Sequence, residues 1–348
     1  MAGQQPPWGP PPPPAPPPYY GPPAPRHPPQ YPPYRQYPPQ YQGYHYAPPR
    51  RPPQRSAGGV IGGVLALVAI VGVLGVLGLA AIGRSASAGS SAGTGASGGS
   101  RGTSGNRAPT GRAAAYDSRL YTSGPLAARG CRLPAIGAAS ASMNRFMNTL
   151  SDCLDASWAA QFGKIGISFR PPRRVFWLTP GSSPCGNYPA PGASAFYCPA
   201  NNSMYVGLRD VVKTSANEPL SHYAVFARVI AHEYGHHVQD AAGILEYAHS
   251  APAASTEAAR NEASRRIELQ AQCLAGAFLG SERDTLPMTQ AQYAYMINDV
   301  RGRGDDDKAP DERDHGLARH YAGWVVQGFK GRGLGVCNTW SAPASEVS

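Results

Sequence analysis

The first third of this 348-residue chain contains no acidic residue, and the first one in the sequence is Asp117. The same stretch contains nine arginines, so the formal net charge of +10 leaves only +1 (22 basic minus 21 acidic residues) for the rest of the chain. A domain that binds nucleic acid carries its excess positive charge on the folded part. We therefore predict no nucleic-acid partner, and we expect the N-terminal arginines to lie beside an anionic membrane leaflet.

Cysteine is absent before residue 131, and the spacing Cys-x-x-Cys does not occur in the chain. This argues against a structural zinc knuckle and against a thioredoxin-like redox site. All six cysteines follow residue 130, as expected for a domain that is exported to an oxidising compartment. Sequence alone does not choose among the pairings that six cysteines allow. Our working prediction joins Cys131 to Cys153, Cys185 to Cys198 across a Gly/Pro-rich loop, and Cys273 to Cys337.

Charged and strongly polar side chains are absent from residues 60–82, a stretch long enough to cross a lipid bilayer as a helix. Three arginines lie shortly before this stretch, whereas only Arg84 lies directly after it. The positive-inside rule therefore predicts a cytoplasmic N-terminus and an extracytoplasmic C-terminal domain. The alternative is a signal peptide, for which Ala86-Ser87-Ala88 suits cleavage. Signal peptides have shorter apolar cores, so we predict an uncleaved single-pass anchor in the cytoplasmic membrane.

Composition divides the chain into five segments. We predict a disordered Pro/Tyr-rich cytoplasmic tail at 1–56, a transmembrane helix at 57–83, a Gly/Ser/Ala-rich linker at 84–112, a folded extracytoplasmic domain at 113–341 and a C-terminal tail at 342–348. Gly58 with Gly62, and Gly59 with Gly63, have the four-residue spacing that lets two membrane helices pack closely. This is a weak signal for a homodimer.

His232-Glu233-Tyr234-Gly235-His236 matches the pattern H-E-x-x-H. Residues four apart share one face of an α-helix, so His232 and His236 can direct imidazole nitrogens at the same Zn²⁺ ion. Catalytic zinc takes three protein ligands and keeps one position for water, which a nearby carboxylate can activate. The motif therefore predicts His232 and His236 as metal ligands and Glu233 as general base.

The third ligand is not part of this motif. A longer zinc motif needs Gly at 239 and His at 242, and the chain has Gln239 and Ala242 instead. We propose Glu268, on a predicted helix from Glu257 to Leu279, and we expect Gln272 on the same face to bind the outer nitrogen of a ligand histidine. The competing candidates are Asp240, His249, Glu257 and Glu262.

At these residues the chain resembles a known family. His232-Glu233-Tyr234-Gly235-His236-His237-Val238-Gln239 and Glu268-Leu269-Gln270-Ala271-Gln272-Cys273-Leu274-Ala275-Gly276 are similar to motifs of the bacterial putative neutral zinc metallopeptidases, which are membrane-attached zincin-like proteins. Shorter matches include Phe196-Tyr197-Cys198-Pro199, Gly304-Asp305-Asp306, His315-Gly316 and Gly328-Phe329. The resemblance covers about residues 130 to 340, and it implies the same three ligands and the same base.

Two departures from the family bear on activity. The family has aspartate where this chain has Gln272, and a neutral amide polarises a ligand histidine less than a carboxylate does. The residues after His315-Gly316 also differ from the family pattern. We nevertheless predict that His315 stabilises the oxyanion. The alternatives for this role are His320, Tyr321 and Tyr234. A further alternative is that His315 is an ordinary surface histidine.

The domain itself has an α+β pattern. Apolar residues from Met143 to Trp158 recur at helical spacing, and short strands are predicted at 174–179, 195–198 and 204–208, before the two zinc-bearing helices. A strand edge beside the zinc helix suits pairing with an extended peptide. We predict a zincin-like hydrolase that cleaves peptide or protein substrates outside the membrane. The alternative is a weak or inactive zinc-fold scaffold that organises envelope partners.

Overall fold

A computed structural model describes residues 107–190, 193–250 and 256–348. The predicted cytoplasmic tail, the predicted membrane helix, the glycine pairs within it and nearly all of the linker fall outside these ranges. Within them, no helix is both long and apolar enough to cross a bilayer. The described part is a mixed, mainly helical fold with a small sheet, which confirms the α+β prediction.

Eight α-helices make up about half of the described residues. Their bounds are α1 Arg112–Tyr116, α2 Ser140–Lys164, α3 Asp210–Thr214, α4 Tyr223–Ala241, α5 Ile244–Ser250, α6 Glu257–Ser281, α7 Gln290–Arg301 and α8 Ala318–Lys330. Short 3-10 turns occur at Arg119–Thr122, Pro199–Asn201, Leu334–Cys337 and Ala344–Glu346. The predicted periodic helix is α2, and the two zinc-bearing helices are α4 and α6.

Five short strands form two sheets. Their bounds are β1 Arg173–Trp177, β2 Gly181–Ser183, β3 Gly186–Tyr188, β4 Ala195–Cys198 and β5 Ser203–Gly207. The main sheet has the order β1-β5-β4, in which β5 runs parallel to β1 and antiparallel to β4. A separate hairpin consists of β2 and β3. The three predicted strands are thus present, two of them one or two residues earlier than predicted.

The main sheet separates two apolar cores, because side chains alternate between its faces. Met204 and Val206 of β5 join the large core under the helices, whereas Tyr205 points the other way. There it stacks on Phe196 of β4, with ring centroids 4.6 Å apart, in a smaller cluster that includes Trp177. Strand β4 consequently has both faces covered.

Helix α4 is buried on almost every side, since 15 of its 19 residues are buried. A helix that is apolar around its whole circumference belongs in the interior of a domain. It packs against α6, α7, α2 and β4. The zinc motif therefore lies in the middle of the fold.

Helices α6 and α8 approach each other through a seam of three glycines. A Cβ at Gly276 would lie 2.2 Å from the carbonyl oxygen of Val325, and one at Gly280 would lie 2.2 Å from that of Phe329. On the opposite helix, a Cβ at Gly328 would lie 1.9 Å from the carbonyl oxygen of Cys273. Only glycine permits such close contact between two backbones.

All three predicted disulfides are present, joining Cys131 to Cys153, Cys185 to Cys198 and Cys273 to Cys337. The last one ties α6 to the C-terminal segment.

Residues 342–348, which the sequence suggests are a separate tail, pack on the domain instead. Val347 is fully buried and its carbonyl accepts a hydrogen bond of 2.9 Å from Arg265 Nε. The indole of Trp324 donates to the carbonyl of Glu346.

Candidate metal centre

Two neighbouring helices supply the predicted metal ligands. His232 and His236 lie one turn apart on α4, and Glu268 projects from α6. Gly235, inside the H-E-x-x-H motif, brings these helices together, because a Cβ there would lie only 3.0 Å from the carbonyl oxygen of Ala271 on α6. The close packing of α4 on α6 therefore explains why this position of the motif is a glycine.

The three side chains converge on one point. His232 Nε2 lies 3.2 Å from His236 Nε2 and 3.1 Å from Glu268 Oε2, and His236 Nε2 lies 3.5 Å from Glu268 Oε1. Ligand atoms about 2.0–2.1 Å from a tetrahedral zinc ion are separated by roughly 3.3 Å, so these side chains fit zinc. Among the described residues, no fourth His, Cys, Asp or Glu joins the cluster. The set matches a three-ligand site rather than a closed four-ligand one.

The protonation states of the ligands also suit a metal. Burial lowers the pKa of His232 to about 4, so its imidazole is neutral at pH 7. Burial alone would raise the pKa of Glu268, but the charge of His236 and the hydrogen bond to His232 outweigh it and lower the pKa to about 2. A neutral imidazole and an ionised carboxylate are the forms that bind zinc.

Glu233 lies beside the ligands and is only 3% exposed. Burial, followed by the negative charge of Glu268, raises its pKa to about 8. The backbone of Tyr197, on β4, lies close enough to this carboxylate to lower its pKa. The edge of the sheet is therefore a neighbour of the predicted base.

The predicted hydrogen bond from Gln272 to a ligand histidine does not form. Among the described residues, neither amide atom of Gln272 has a hydrogen-bond partner, and neither does the outer nitrogen of His232, although all three atoms are buried. Gln239 takes the expected role for the other ligand, with its Oε1 2.9 Å from His236 Nδ1. Helical spacing indicates the face on which Gln272 lies, but it does not show which residue of the opposite helix that face meets.

His315 is buried next to this centre, not at the surface. Its Nδ1 lies 2.9 Å from Asp314 Oδ1 and 3.7 Å from Asp305 Oδ2. Burial lowers the pKa of His315, but these two carboxylates and the charge of Glu268 outweigh it and raise the pKa to about 10. The imidazole is therefore a cation at pH 7, close enough for its charge to lower the pKa values of Glu233 and Glu268.

Asp305, Asp314 and His315 also have the geometry of a metal cluster. Lys308 Nζ already lies 2.6 Å from Asp314 Oδ1 and 3.1 Å from Asp305 Oδ1. Two carboxylates are thus balanced by an ammonium and an imidazolium group. The loop that begins at Asp305 thus holds His315 through two of its carboxylates.

The alternatives to His315 differ in their position. The hydroxyl of Tyr234 points away toward α2 and donates to Asp155 Oδ1 at 2.6 Å. Both ring nitrogens of His320 are engaged, one with the carbonyl of Ser348 and the other with Arg319. Tyr321 lies at the centre, since its ring centroid is 6.3 Å from that of His232 and 6.2 Å from that of His315.

The other candidates for third ligand have different partners. Asp240 accepts a hydrogen bond of 2.6 Å from the Tyr197 hydroxyl, and Glu262 pairs with Arg266 at 2.7 Å. Glu257 is exposed at the first turn of α6, and His249 is exposed near the end of α5. The ligand cluster includes none of these four side chains.

Arg228 is a charged neighbour that the sequence analysis does not identify. It lies one turn before His232 on α4, is 2% exposed, and pairs with Asp299 Oδ2 at 2.5 Å. Asp299 also binds Arg303 at 2.8 Å. The positive charge of Arg228 lowers the pKa of both His232 and Glu233. Its only sequence signal is the four-residue spacing from His232.

Comparison with known proteins identifies a family and several relatives. The family model described as "Putative neutral zinc metallopeptidase" matches residues 127–340. The Escherichia coli (strain K12) protein YpfJ is 29% identical over 209 residues, which are 56% of this chain and 71% of YpfJ. The Mycobacterium tuberculosis (strain H37Rv) protein Rv2575 is 30% identical over 196 residues, which are 50% of this chain and 63% of Rv2575. Both relatives are named as uncharacterised proteins, and no solved structure matches the chain.

Proposed function

Because this chain belongs to the putative neutral zinc metallopeptidase family, we propose that it is an active zinc peptidase, anchored in the cytoplasmic membrane through residues 60–82. The proposal places the folded domain outside the cytoplasm, where it hydrolyses peptide bonds of peptide or protein substrates.

One observation carries the proposed activity. His232, His236 and Glu268 form a three-ligand cluster to which no fourth described residue adds a ligand. The exposed fractions of their side chains are 6%, 13% and 16%, so the cluster is reached from the side of His236 and Glu268. Structural zinc sites are closed by four protein ligands, whereas catalytic sites keep a position for water or substrate. A buried carboxylate next to such a cluster has no role in a purely structural site.

The residues around the cluster divide the chemistry among them. When bound, zinc supplies a Lewis acid that polarises the scissile carbonyl and makes a water molecule more acidic. Glu233 accepts the proton of the attacking water and delivers it to the leaving nitrogen as the C–N bond breaks. Without metal the pKa of Glu233 is about 8, and a bound cation would lower it toward the operating pH, where a general base works best.

His315 has the charge that the oxyanion needs. As a buried cation held by Asp314, it places a positive charge near the point where the carbonyl oxygen becomes negative. Fixed charges in a site that excludes water stabilise developing charge more than mobile ones do. Tyr321, between His232 and His315, is the second candidate for this task.

Strand β4 is a less open edge than peptide pairing requires. It lies at the edge of its sheet, but all four of its residues are buried, from Cys198 at 0% to Tyr197 at 8% exposure. An extended substrate needs free backbone groups along an edge strand. We therefore propose that the substrate enters from the side of His236 and Glu268, where the side chains of the ligands are partly exposed.

Two observations support the proposed location. Three disulfides within the described domain suit an oxidising compartment, because cytosolic thiols are kept reduced. Residues 60–82 contain no charged side chain, and the arginine bias favours an N-terminus inside the cell.

A second function has a specific observation in its favour. His232 Nδ1 and the Gln272 amide are buried without hydrogen-bond partners among the described residues. A ligand histidine that lacks a partner on its outer nitrogen binds metal less tightly. A scaffold with a weakened site, which organises envelope partners through its domain and tail, accounts for this.

Zinc content and hydrolysis together distinguish the two functions. Purified full-length protein in detergent is expected to contain about one zinc per chain, and His236→Ala is expected to lose most of it. The parent should cleave an unfolded protein such as reduced casein, and a chelator should stop the cleavage. Bound zinc without cleavage favours the scaffold, and the absence of zinc after reconstitution contradicts both proposals. Zinc retained in Glu268→Ala assigns the third ligand to another residue.

A further inference from the structure

We propose that Gln239 is a positioning residue, which fixes the tautomer and the ring orientation of His236 through a relay of amide groups. The inference builds on the proposed zinc site and concerns how this chain prepares one of its ligands. Gln239 lies one turn beyond His236 on α4 and is fully buried.

The relay begins at the outer nitrogen of the ligand. Gln239 Oε1 lies 2.9 Å from His236 Nδ1. Gln239 Nε2 donates two hydrogen bonds across to α6, one of 2.8 Å to the carbonyl of Ile267 and one of 3.0 Å to Gln270 Oε1. The carbonyl and the amide on α6 lie on either side of Glu268 in the sequence, so the relay joins the two ligand-bearing helices.

The relay ends on backbone carbonyl groups. Gln270 Nε2 donates to the carbonyl of Cys337 at 3.0 Å and to the Tyr121 hydroxyl at 2.8 Å. The Tyr121 hydroxyl donates in turn to the carbonyl of Ala115 at 2.7 Å. Burial raises the pKa of Tyr121, so this hydroxyl keeps its proton.

These ends fix the direction of every hydrogen bond between them. A backbone carbonyl can only accept, so the amide nitrogen of Gln270 must face Cys337 and its oxygen must face Gln239. Gln239 then has two acceptors in front of its nitrogen, Ile267 and Gln270, and must turn its oxygen toward His236. An amide flip at either glutamine would place oxygen against oxygen inside the protein, which is costly.

The direction of the relay selects one form of His236. An oxygen facing Nδ1 requires a proton on Nδ1, and in the neutral ring this leaves the lone pair on Nε2. Nε2 is the atom that faces His232 and Glu268. The protein therefore holds His236 in the tautomer that binds metal before any metal arrives, whereas His232 has no described partner on its outer nitrogen.

The test uses full-length protein in detergent with ¹⁵N-labelled histidine, and zinc alone as the ligand. Nitrogen chemical shifts of the zinc-free parent at pH 8 report the tautomer of His236, which His236→Ala assigns. Zinc affinity is measured by competition with a chelator for the parent and for Gln239→Leu. The matched control is Gln161→Leu on α2, because Gln161 is also buried and its amide makes several hydrogen bonds, with Ser123, Gly124 and Lys164.

We expect the zinc-free parent to hold His236 with its proton on Nδ1. Gln239→Leu should weaken zinc binding about 10- to 100-fold, the usual effect of removing a partner of a ligand histidine, and Gln161→Leu should not weaken it. A proton on Nε2 in the zinc-free parent, or equal zinc affinity in a folded Gln239→Leu variant, overturns the inference. If Gln239→Leu does not fold, the tautomer of the parent decides. A parent with the Nδ1 proton that binds no zinc supports the relay and refutes the proposed peptidase.

Discussion

Replacing Glu233 with glutamine is expected to change activity and stability in opposite directions. The substitution preserves the shape of the side chain and removes its charge. If Glu233 is the general base, hydrolysis should fall by about two to four orders of magnitude while zinc stays bound. The same substitution should stabilise the zinc-free protein, because it removes a carboxylate that is only 3% exposed.

The size of the stability gain follows from the pKa of Glu233. Burial raises this pKa from 4.5 to about 8 in the folded protein. Each pKa unit corresponds to about 1.4 kcal/mol, so ionising Glu233 in the folded state costs up to about 5 kcal/mol. Because the folded-state pKa is the higher one, the parent should lose stability as the pH rises from about 4.5 to about 8. The glutamine variant lacks this loss.

Thermal unfolding of both proteins in the presence of a chelator, from pH 4 to pH 9, measures the difference. In a domain of this size, 1 kcal/mol shifts Tm by about 2–4 °C, so the variant should unfold on the order of 10–20 °C above the parent at pH 9 and level with it at pH 4. Zinc should reduce the difference, since a cation favours the ionised carboxylate. The exposed glutamate Glu312 provides the control, and Glu312→Gln should follow the parent at every pH.

Parallel stability profiles for the parent and Glu233→Gln would refute the reasoning about burial. Undiminished hydrolysis by the variant would refute the assignment of the base. The two results are independent, so each part of the argument can fail alone.

Four further predictions concern other parts of the chain. Replacing both Cys273 and Cys337 with alanine opens a loop with a sequence separation of 64 and should cost roughly 4 kcal/mol of unfolding free energy, visible as a lower Tm; an unchanged Tm contradicts this. Gln272→Leu removes two buried amide atoms without described partners and should stabilise the protein by about 1–3 kcal/mol in urea unfolding, whereas a loss would show that the amide is satisfied. His315→Gln should lower kcat about 10²- to 10³-fold with zinc retained, and an unchanged kcat would assign the oxyanion to another group. Protease added to intact cells should digest the domain but not a labelled N-terminus if residues 60–82 span the membrane as proposed, and protection of the domain reverses that topology.

Local sequence patterns were enough to predict the elements that carry the site. The periodic apolar residues from Met143 to Trp158 correspond to α2, and the strand at 195–198 has the predicted bounds. Helical spacing also places His232 and His236 on one face of α4. The structure brings Glu268 to them, as the resemblance to the family implies.

Contacts between elements distant in the sequence were not predictable in the same way. Gln272 and Gln239 both follow a candidate ligand at helical spacing, but only the packing of α4 on α6 shows that Gln239 reaches a ligand histidine. The loop around Asp305 looks like a solvated acidic stretch, and Asp306 and Asp307 are indeed exposed. Asp305 itself is buried, because Lys308 and His315 neutralise its charge, and no short-range sequence pattern predicts that pairing. Helices α7 and α8 were not predicted either.

The glycine seam between α6 and α8 limits how this protein can vary. At Gly276, Gly280 and Gly328, one added methyl group meets the backbone of the facing helix, so no change of rotamer can absorb it. Even an alanine at the seam would push α8 outward, and Tyr321, near the start of α8, would move away from His232. Mutations that look conservative and lie far from the zinc ligands would therefore alter the geometry of the centre. An effort to evolve new specificity in this fold should therefore leave the seam intact.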